Sequence, residues 1–249
     1  MAEKQHVKTV FISDIHLWNP KNQSNKLIEF LKTIEFDNLI IVWDFLDYWQ
    51  LNWFWLWREK EKNTLDYINK LSNEWINITY IQGNHDSGLI CNNNIYLNKV
   101  SIRENMFYET KKWKIYYIMH WHLLDWANWR HSKVWKIGSL TYWLWLKIES
   151  IRNKEAINPC HNSISEKIED RIRIHRFPQN KLTNKIKKFS KNIKCDWIII
   201  WHFHQPEHRN IDWLDYFNTW DRLKNCSAVI ETDSWNLELL IYKKSHKDN

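Results

Sequence analysis

The sequence predicts an α/β domain built on parallel strands, because apolar strand-like runs alternate with segments of helical periodicity. Val7–Ser13 is an apolar run typical of a buried strand, and apolar residues recur at helical spacing between Asn22 and Glu35. The alternation continues with a strand at Leu39–Val42, a helix at about Leu56–Asn73 and a strand at Ile76–Gln82. A β-α-β-α-β order is typical of a parallel sheet covered by helices.

The second half of the chain adds strands and one long helical segment. Strands are predicted at about Met106–Thr110 and Lys114–Met119. Residues 125–194 are polar, rich in Lys and Arg, and mostly helical in pattern, which indicates an inserted helical cap rather than a separate domain. The chain returns to a strand at Cys195–Ile200 and ends in hairpins from about Glu207 to Tyr242. We therefore expect one domain over residues 1–249, with the cap inserted at about 125–194.

The overall composition is that of a globular protein. The 249 residues include 44% hydrophobic and 26% charged residues, enough for one large core. The polar start MAEKQHVK and the lack of an apolar stretch of about 20 residues predict a cytoplasmic protein. Four cysteines without a CxxC pair predict reduced thiols. A net charge of +7 favours anionic partners such as nucleotides, nucleic acid or an acidic membrane face, without selecting among them.

Tryptophan and glycine occur in unusual proportions. The chain has 19 Trp and 3 Gly, whereas average usage of about 7% would give roughly 17 glycines. Several tryptophans stand where a turn favours glycine: Trp75 follows a predicted helix, and Trp213 follows Asp212 between two strands. A surface rich in tryptophan, as in a carbohydrate-binding protein, is the alternative, but it does not explain why glycine is missing from these positions.

We expect that many of these tryptophans are glycine in the cell. Some bacterial lineages read the UGA codon as glycine, and a translation that reads UGA as tryptophan would produce this pattern. The many Lys, Asn and Ile residues suit an AT-rich genome, where UGA would be common. The positions expected to be glycine are Trp18, Trp43, Trp75, Trp113, Trp121, Trp197, Trp201, Trp213, Trp220 and Trp235. Trp49 and Trp135 are expected to be genuine, and the other seven tryptophans are left unassigned.

Five segments with metal-ligand side chains each follow a predicted strand. They contain Asp14 and His16; Asp44; Asn84, His85 and Asp86; His120 and His122; and His202 and His204. The carboxyl ends of the strands are where ligands bind in open α/β sheets, so these side chains can converge. Imidazole, carboxylate and amide groups suit divalent ions such as Mn, Fe and Zn. One such histidine is more often structural than a ligand, but five segments together predict a site for two metal ions, with Asp44 as the natural bridge.

The order of these motifs resembles that of a known family. With Trp43 and Trp201 read as glycine, the chain contains D-x-H, G-D, G-N-H-D, H and G-H-x-H in this order. This resembles the calcineurin-like metallophosphoesterases from Phe11 to about Tyr242. Within that family the chain is similar to the branch that includes the UDP-2,3-diacylglucosamine pyrophosphatases of lipid A synthesis. The resemblance implies a four-layer α/β/β/α sandwich with a helical cap over the site.

The resemblance also implies roles for individual residues. One metal ion would be held by Asp14, His16, Asp44 and His204, and the other by Asp44, Asn84, His120 and His202. Mn is the expected metal, with Fe or Zn as alternatives. His85 would stabilise the transition state or protonate the leaving oxygen, and Asp86 would orient His85. For Asp86, a turn-capping role is the alternative.

The implied reaction is hydrolysis of a pyrophosphate or phosphodiester, with UDP-2,3-diacylglucosamine as the specific substrate and UMP and a lipid monophosphate as products. Members of that branch often carry Arg at the position of His85 and Asp at that of His122, so the lipid-nucleotide substrate stays one of several hypotheses. The others are a nuclease or cyclic-nucleotide phosphodiesterase, and a non-catalytic scaffold of the same fold. Basic residues of the cap could meet phosphates or the inner membrane face, or be a solvated helix surface.

Overall fold

The computed structural model describes residues 4–17, 19, 22–46, 59–83, 86, 97–120, 179–195, 197–201, 207–218 and 227–242. Within these ranges the chain forms two β-sheets and three helices. None of the described helices is long and apolar enough to cross a membrane.

The first sheet has six strands in the order β11-β10-β1-β2-β3-β4. Four of its strands are parallel neighbours: β1 (Gln5–Ser13), β2 (Ile34–Val42), β3 (Asn77–Ile81) and β4 (Val100–Arg103). The strands β10 (Ser227–Glu231) and β11 (Leu237–Ile241) extend this sheet in antiparallel pairing from β1. The predicted parallel arrangement of the first three strands is therefore confirmed.

The second sheet has five strands in the order β5-β6-β7-β9-β8. Its parallel centre consists of β6 (Ile115–His120), β7 (Trp197–Trp201) and β9 (Leu214–Asn218). Antiparallel strands β5 (Asn105–Glu109) and β8 (Glu207–Ile211) form its two edges.

Three hydrophobic layers hold the sheets and helices together. Helices α1 (Ser24–Thr33) and α2 (Glu59–Asn73) lie on the first sheet, where Leu27 and Ile68 pack with strand residues such as Ile12. Helix α3 (Gln179–Ile193) lies on the second sheet, where Ile186 packs with Ile198. Between the sheets, residues such as Phe11 and Ile118 form a third cluster. Strand residues alternate between these layers, as the period of two requires, and the result is the predicted four-layer α/β/β/α sandwich.

Some elements of the structure differ from the sequence prediction. The first helix does not reach Glu35, because Ile34 is already extended (φ −125°, ψ 157°) and pairs with Gln5 at the start of β2. Strand β4 was not predicted, since it has only four residues and none of them is fully buried. Helix α3 lies within the range of the predicted cap at 125–194 and packs on the second sheet. The cap itself stays a prediction, because residues 125–178 lie outside the described part of the chain.

A charged cluster joins three chain segments at the end of the first sheet away from the carboxyl ends of its parallel strands. His6 Nδ1 lies 2.9 Å from Asp233 Oδ1, and His6 Nε2 lies 3.3 Å from Asp37 Oδ1. Lys8 Nζ also bonds to Asp37. The hydrogen bond to Asp233 is the main reason that the pKa of His6 is raised, and the Lys8 ammonium lowers the pKa of Asp37.

These pKa directions predict how the cluster affects stability. A raised His6 pKa stabilises the fold below about pH 6.5, and this contribution disappears as the pH rises through the folded-state pKa. We expect His6→Gln to lower the free energy of unfolding more at about pH 5.5 than at about pH 9. Urea unfolding of parent and variant at both pH values measures this difference. An equal loss at the two pH values would contradict it.

Candidate metal centre

The candidate ligands lie where the central strands of both sheets end. Strands β1, β2 and β3 end in register, with Ser13 beside Val42 and Val42 beside Ile81. Asp14 and His16 follow β1, and Asp44 follows β2. His120 is the last residue of β6 in the second sheet. The sandwich thus brings residues from both sheets to one edge.

Backbone hydrogen bonds continue past the strand ends and fix these loops. The Trp43 N–H donates to the Ile81 carbonyl at 2.8 Å, and the Asp14 N–H donates to the Trp43 carbonyl at 3.3 Å. The His16 N–H donates to the Asp44 carbonyl at 2.9 Å. Since Asp14, His16 and Asp44 are each bonded to a neighbouring loop, their side chains start from a fixed backbone.

The backbone at the ligands is left-handed. The φ angles of Asp14, His16 and Asp44 are 52°, 45° and 45°. This conformation costs an L-residue roughly 1–2 kcal/mol, and such strained residues cluster at functional sites. It lets a chain leaving a strand turn sharply, so that Asp14 and His16, two residues apart, both reach one side.

The side chains form a compact buried cluster. One ligand atom from each of Asp14, His16 and Asp44 lies within 4.8 Å of the others. His16 Nε2 is 3.2 Å from Asp14 Oδ1, and His120 Nε2 is 3.7 Å from Asp44 Oδ2. Asp44 therefore stands between the Asp14–His16 pair and His120.

The cluster fits divalent metal ions on chemical grounds. Asp14, Asp44 and His120 are at most 1% exposed, and buried charged groups are usually paired or coordinate a metal ion. Their oxygen and imidazole nitrogen atoms suit Mn, Fe or Zn. Four of the seven predicted ligands are thus brought together. The other three, Asn84, His202 and His204, and the predicted catalytic residue His85 lie outside the described residues.

A family model supports the assignment that the motifs suggested. The model for calcineurin-like phosphoesterases matches residues 7–230, which is most of the chain. The chain belongs to the calcineurin-like phosphoesterase family. Membership of this family, together with the buried cluster of metal-ligand side chains, supports a metal-dependent phosphoester hydrolase.

Solved structures of low sequence identity are similar over nearly the whole chain. An archaeal phosphodiesterase is 15% identical and covers 94% of this chain and 99% of its own, with a TM-score of 0.46. Vacuolar protein sorting 29 from Cryptosporidium parvum is 12% identical, with 95% and 97% coverage and a TM-score of 0.43. Phosphopantetheinyl hydrolase from Mycobacterium tuberculosis is 12% identical, with 98% and 99% coverage and a TM-score of 0.43. No curated protein matches the sequence.

Asp86 contacts the loop that carries Asp44. It is fully buried, and its Oδ2 accepts a hydrogen bond from the Phe45 N–H at 3.0 Å and another from the Tyr80 hydroxyl. Its predicted role of orienting His85 stays a prediction, because His85 lies outside the described residues. Tyr80 was not among the predicted site residues, because an aromatic residue in an apolar strand has no feature that distinguishes it from other core residues.

Four tryptophans have the backbone conformation that favours glycine. The φ angles of Trp43, Trp75, Trp113 and Trp235 are 60°, 71°, 61° and 63°, a region that bulky residues rarely adopt. Trp43 is also fully buried against His120, with ring centroids 5.5 Å apart. Its Nε1 is buried without a hydrogen-bond partner among the described residues, which costs roughly 1–3 kcal/mol.

Other tryptophans lack this conformation. In the turn between β8 and β9 the left-handed residue is Asp212, with φ 56°, rather than Trp213. Trp197 and Trp201 lie in β7, where any residue fits the extended backbone. Trp197 also contacts the Lys114 ammonium, 3.9 Å from its ring centroid. The backbone therefore favours glycine at four of the expected positions and not at these three; Trp18, Trp121 and Trp220 lie outside the described residues.

Gly83 provides the space that Asp44 occupies. A Cβ atom at residue 83 would lie 2.2 Å from Asp44 Oδ1 and 3.0 Å from Trp43 Cβ. We expect Gly83→Ala to displace the Asp44 carboxylate and to weaken Mn binding by roughly 10–100-fold, the usual effect of disturbing a metal ligand's support. Calorimetric titration with Mn measures this, with Thr79→Ala in β3 as the control. Unchanged Mn affinity in Gly83→Ala would show that Mn binding does not depend on the Asp44 carboxylate lying next to Gly83.

Proposed function

We propose that this chain is a hydrolase that uses two divalent metal ions, with Mn as the expected metal, to cleave a phosphodiester or pyrophosphate. The main observation in its favour is the position of Asp44, which lies beside Asp14 and His16 on one side and His120 on the other. A carboxylate between two groups of ligands is suited to bridge two ions about 3.5–4 Å apart.

The predicted site residues have distinct roles in this proposal. Asp14, His16, Asp44 and His120 would hold the ions, and Asn84, His202 and His204 would supply further ligands. Bound divalent ions supply an activated water and stabilise the charge that develops on phosphorus. His85 protonates the leaving oxygen or stabilises the transition state. Asp14, Asp44 and His120 are buried, which strengthens electrostatic interactions at the site.

For the substrate, we propose a lipid nucleotide such as UDP-2,3-diacylglucosamine, cleaved to UMP and a lipid monophosphate. The resemblance of the strand-end motifs to that branch supports this choice. The net charge of +7 favours an anionic substrate. Helix α3 exposes Lys185, Lys188 and Lys191, which suits contact with the anionic inner face of a membrane. A nucleic acid or cyclic nucleotide is the second candidate, because the same charge attracts it.

Two substitutions test the metal centre. We expect the parent to bind two Mn ions per chain and Asp44→Asn to lose both metal and hydrolysis, because it weakens a ligand shared by both ions. His85→Ala is expected to keep the metal and to lose roughly 10²–10⁴-fold in kcat. Calorimetry and elemental analysis give the metal content, and hydrolysis of a generic phosphodiester gives kcat. Near-parent turnover in Asp44→Asn would refute the bridging role, and metal loss in His85→Ala would make His85 a ligand.

A substrate panel separates the candidate functions. UMP release from UDP-2,3-diacylglucosamine is compared with cleavage of cyclic nucleotides, single-stranded DNA and a generic diester, all with Mn. Preference for the sugar nucleotide supports the lipid-nucleotide substrate. A chain that binds Mn and cleaves none of these would support the non-catalytic scaffold.

We further propose that the functional protein carries glycine at positions 43, 75, 113 and 235. Support comes from the left-handed backbone at all four and from the scarcity of glycine in the sequence. Trp75 and Trp113 are 93% and 83% exposed, so their rings contribute little packing. UGA codons at these positions in the gene, with UGG at Trp49, would agree with this proposal, and UGG at Trp43 would refute it.

The exposed positions allow a stability test with a matched control. We expect Trp75→Gly and Trp113→Gly each to raise the free energy of unfolding by roughly 1–2 kcal/mol, because glycine removes the left-handed strain. Trp213→Gly is the control, since its turn places the positive φ on Asp212, and it is expected to bring no gain. Urea unfolding measures all three. Equal effects at the three positions would show that the strain is not the cause.

A further inference from the structure

Tyr80 packs against Phe45, the residue that follows Asp44 in the chain. It is a fully buried residue of β3, on the face of the first sheet that α1 and α2 cover. Its ring packs edge-on against Phe45, with centroids 6.0 Å apart. Its hydroxyl donates a hydrogen bond to Asp86 Oδ2, the oxygen that also accepts the Phe45 N–H at 3.0 Å.

These bonds hold the peptide that follows Asp44 from two sides. The Phe45 N–H is bound by Asp86, and the Phe45 carbonyl accepts the Leu17 N–H at 2.8 Å. On the other side of Asp44, Trp43 is fixed to Ile81. Asp44 is therefore placed between two anchored neighbours, and the anchor at Phe45 depends on where the Asp86 carboxylate sits.

The hydroxyl of Tyr80 donates to the same Asp86 oxygen that accepts the Phe45 N–H. Asp86 is fully buried, and a buried carboxylate that loses a donor is left partly unsatisfied and moves to find another. Burial, with the nearby Asp86 charge, raises the pKa of Tyr80 well above its ordinary value, so the hydroxyl remains protonated and able to donate.

We propose that Tyr80 is a positioning residue for the metal centre: its hydroxyl fixes Asp86, Asp86 fixes the Phe45 amide, and this chain sets the Asp44 carboxylate. The inference rests on the proposed function, because it assumes that Asp44 binds metal. Metal sites require ligand positions within about 0.2 Å, and loss of a supporting hydrogen bond beyond the ligands typically costs 10–100-fold in metal affinity.

The test compares two tyrosines buried in the outer layers of the two sheets. Tyr80→Phe removes the hydroxyl and keeps the ring against Phe45. Tyr216→Phe does the same to a fully buried tyrosine of β9, which packs in the cluster under α3. Mn affinity is measured by calorimetry in the full chain, together with kcat at low and at saturating Mn. We expect the Mn Kd of Tyr80→Phe to rise roughly 10–100-fold, with kcat largely recovered at saturating Mn, and Tyr216→Phe to match the parent.

Two variants of Asp86 provide a second route if Tyr80→Phe does not fold. Asp86→Asn keeps an acceptor oxygen for Phe45 and Tyr80, and is expected to retain most of the Mn affinity. Asp86→Leu has a similar shape without an acceptor, and is expected to lose it.

The outcomes separate this inference from the proposed function. A parent chain that binds no Mn overturns both. A parent that binds Mn, with unchanged affinity in Tyr80→Phe, overturns the positioning role alone. Equal losses in Tyr80→Phe and Tyr216→Phe also overturn it, because they indicate general loosening of the fold. Equal Mn affinities of Asp86→Asn and Asp86→Leu would also overturn the positioning role, because the acceptor oxygen of Asp86 would then not matter.

Discussion

The hydrogen bonds that join the ends of β1, β2 and β3 are the constraint on which the site depends. The Trp43 N–H donates to the Ile81 carbonyl, and the Trp43 carbonyl accepts the Asp14 N–H. The Asp44 carbonyl in turn accepts the His16 N–H. These bonds keep Trp43 and Asp44 in two successive left-handed conformations, which the free chain would rarely adopt. Without them, Asp44 would not face the histidine of the opposite sheet.

Close packing around Asp44 links the fold to metal binding. Gly83 approaches Asp44 so closely that a methyl group would not fit, and Asp14 and Asp44 are both buried close together. Two buried carboxylates repel each other and lose hydration, so the arrangement is costly without a cation. A bound divalent ion would offset this cost, and for such sites the free energy of metal binding contributes to the free energy of folding.

Much of the fold could be predicted because its signals are local. Strands β1 and β2 bury both faces, and their continuous apolar runs indicate a parallel sheet. The start of β2 at Ile34 could not be read in this way, since its pairing with Gln5 is a tertiary interaction that ends the helix early. At the site, the residue types and their order predicted Asp14, His16, Asp44 and His120 as metal ligands, and the structure brings these four side chains together. The role inferred for Tyr80 follows only from its hydrogen bond to Asp86, which no sequence pattern records.

The tryptophans show how one sequence signal has different physical consequences at different positions. At Trp75 and Trp113 the rings are exposed, so backbone strain is the main contribution and stability reports on it. At Trp43, strain and the unsatisfied Nε1 oppose the burial of a whole indole between the sheets. Removing a buried tryptophan side chain typically costs about 3–5 kcal/mol, which can exceed the strain that is relieved. Stability therefore cannot identify the native residue at position 43. The informative quantity there is metal affinity, because the indole contacts His120 and precedes Asp44 in the chain.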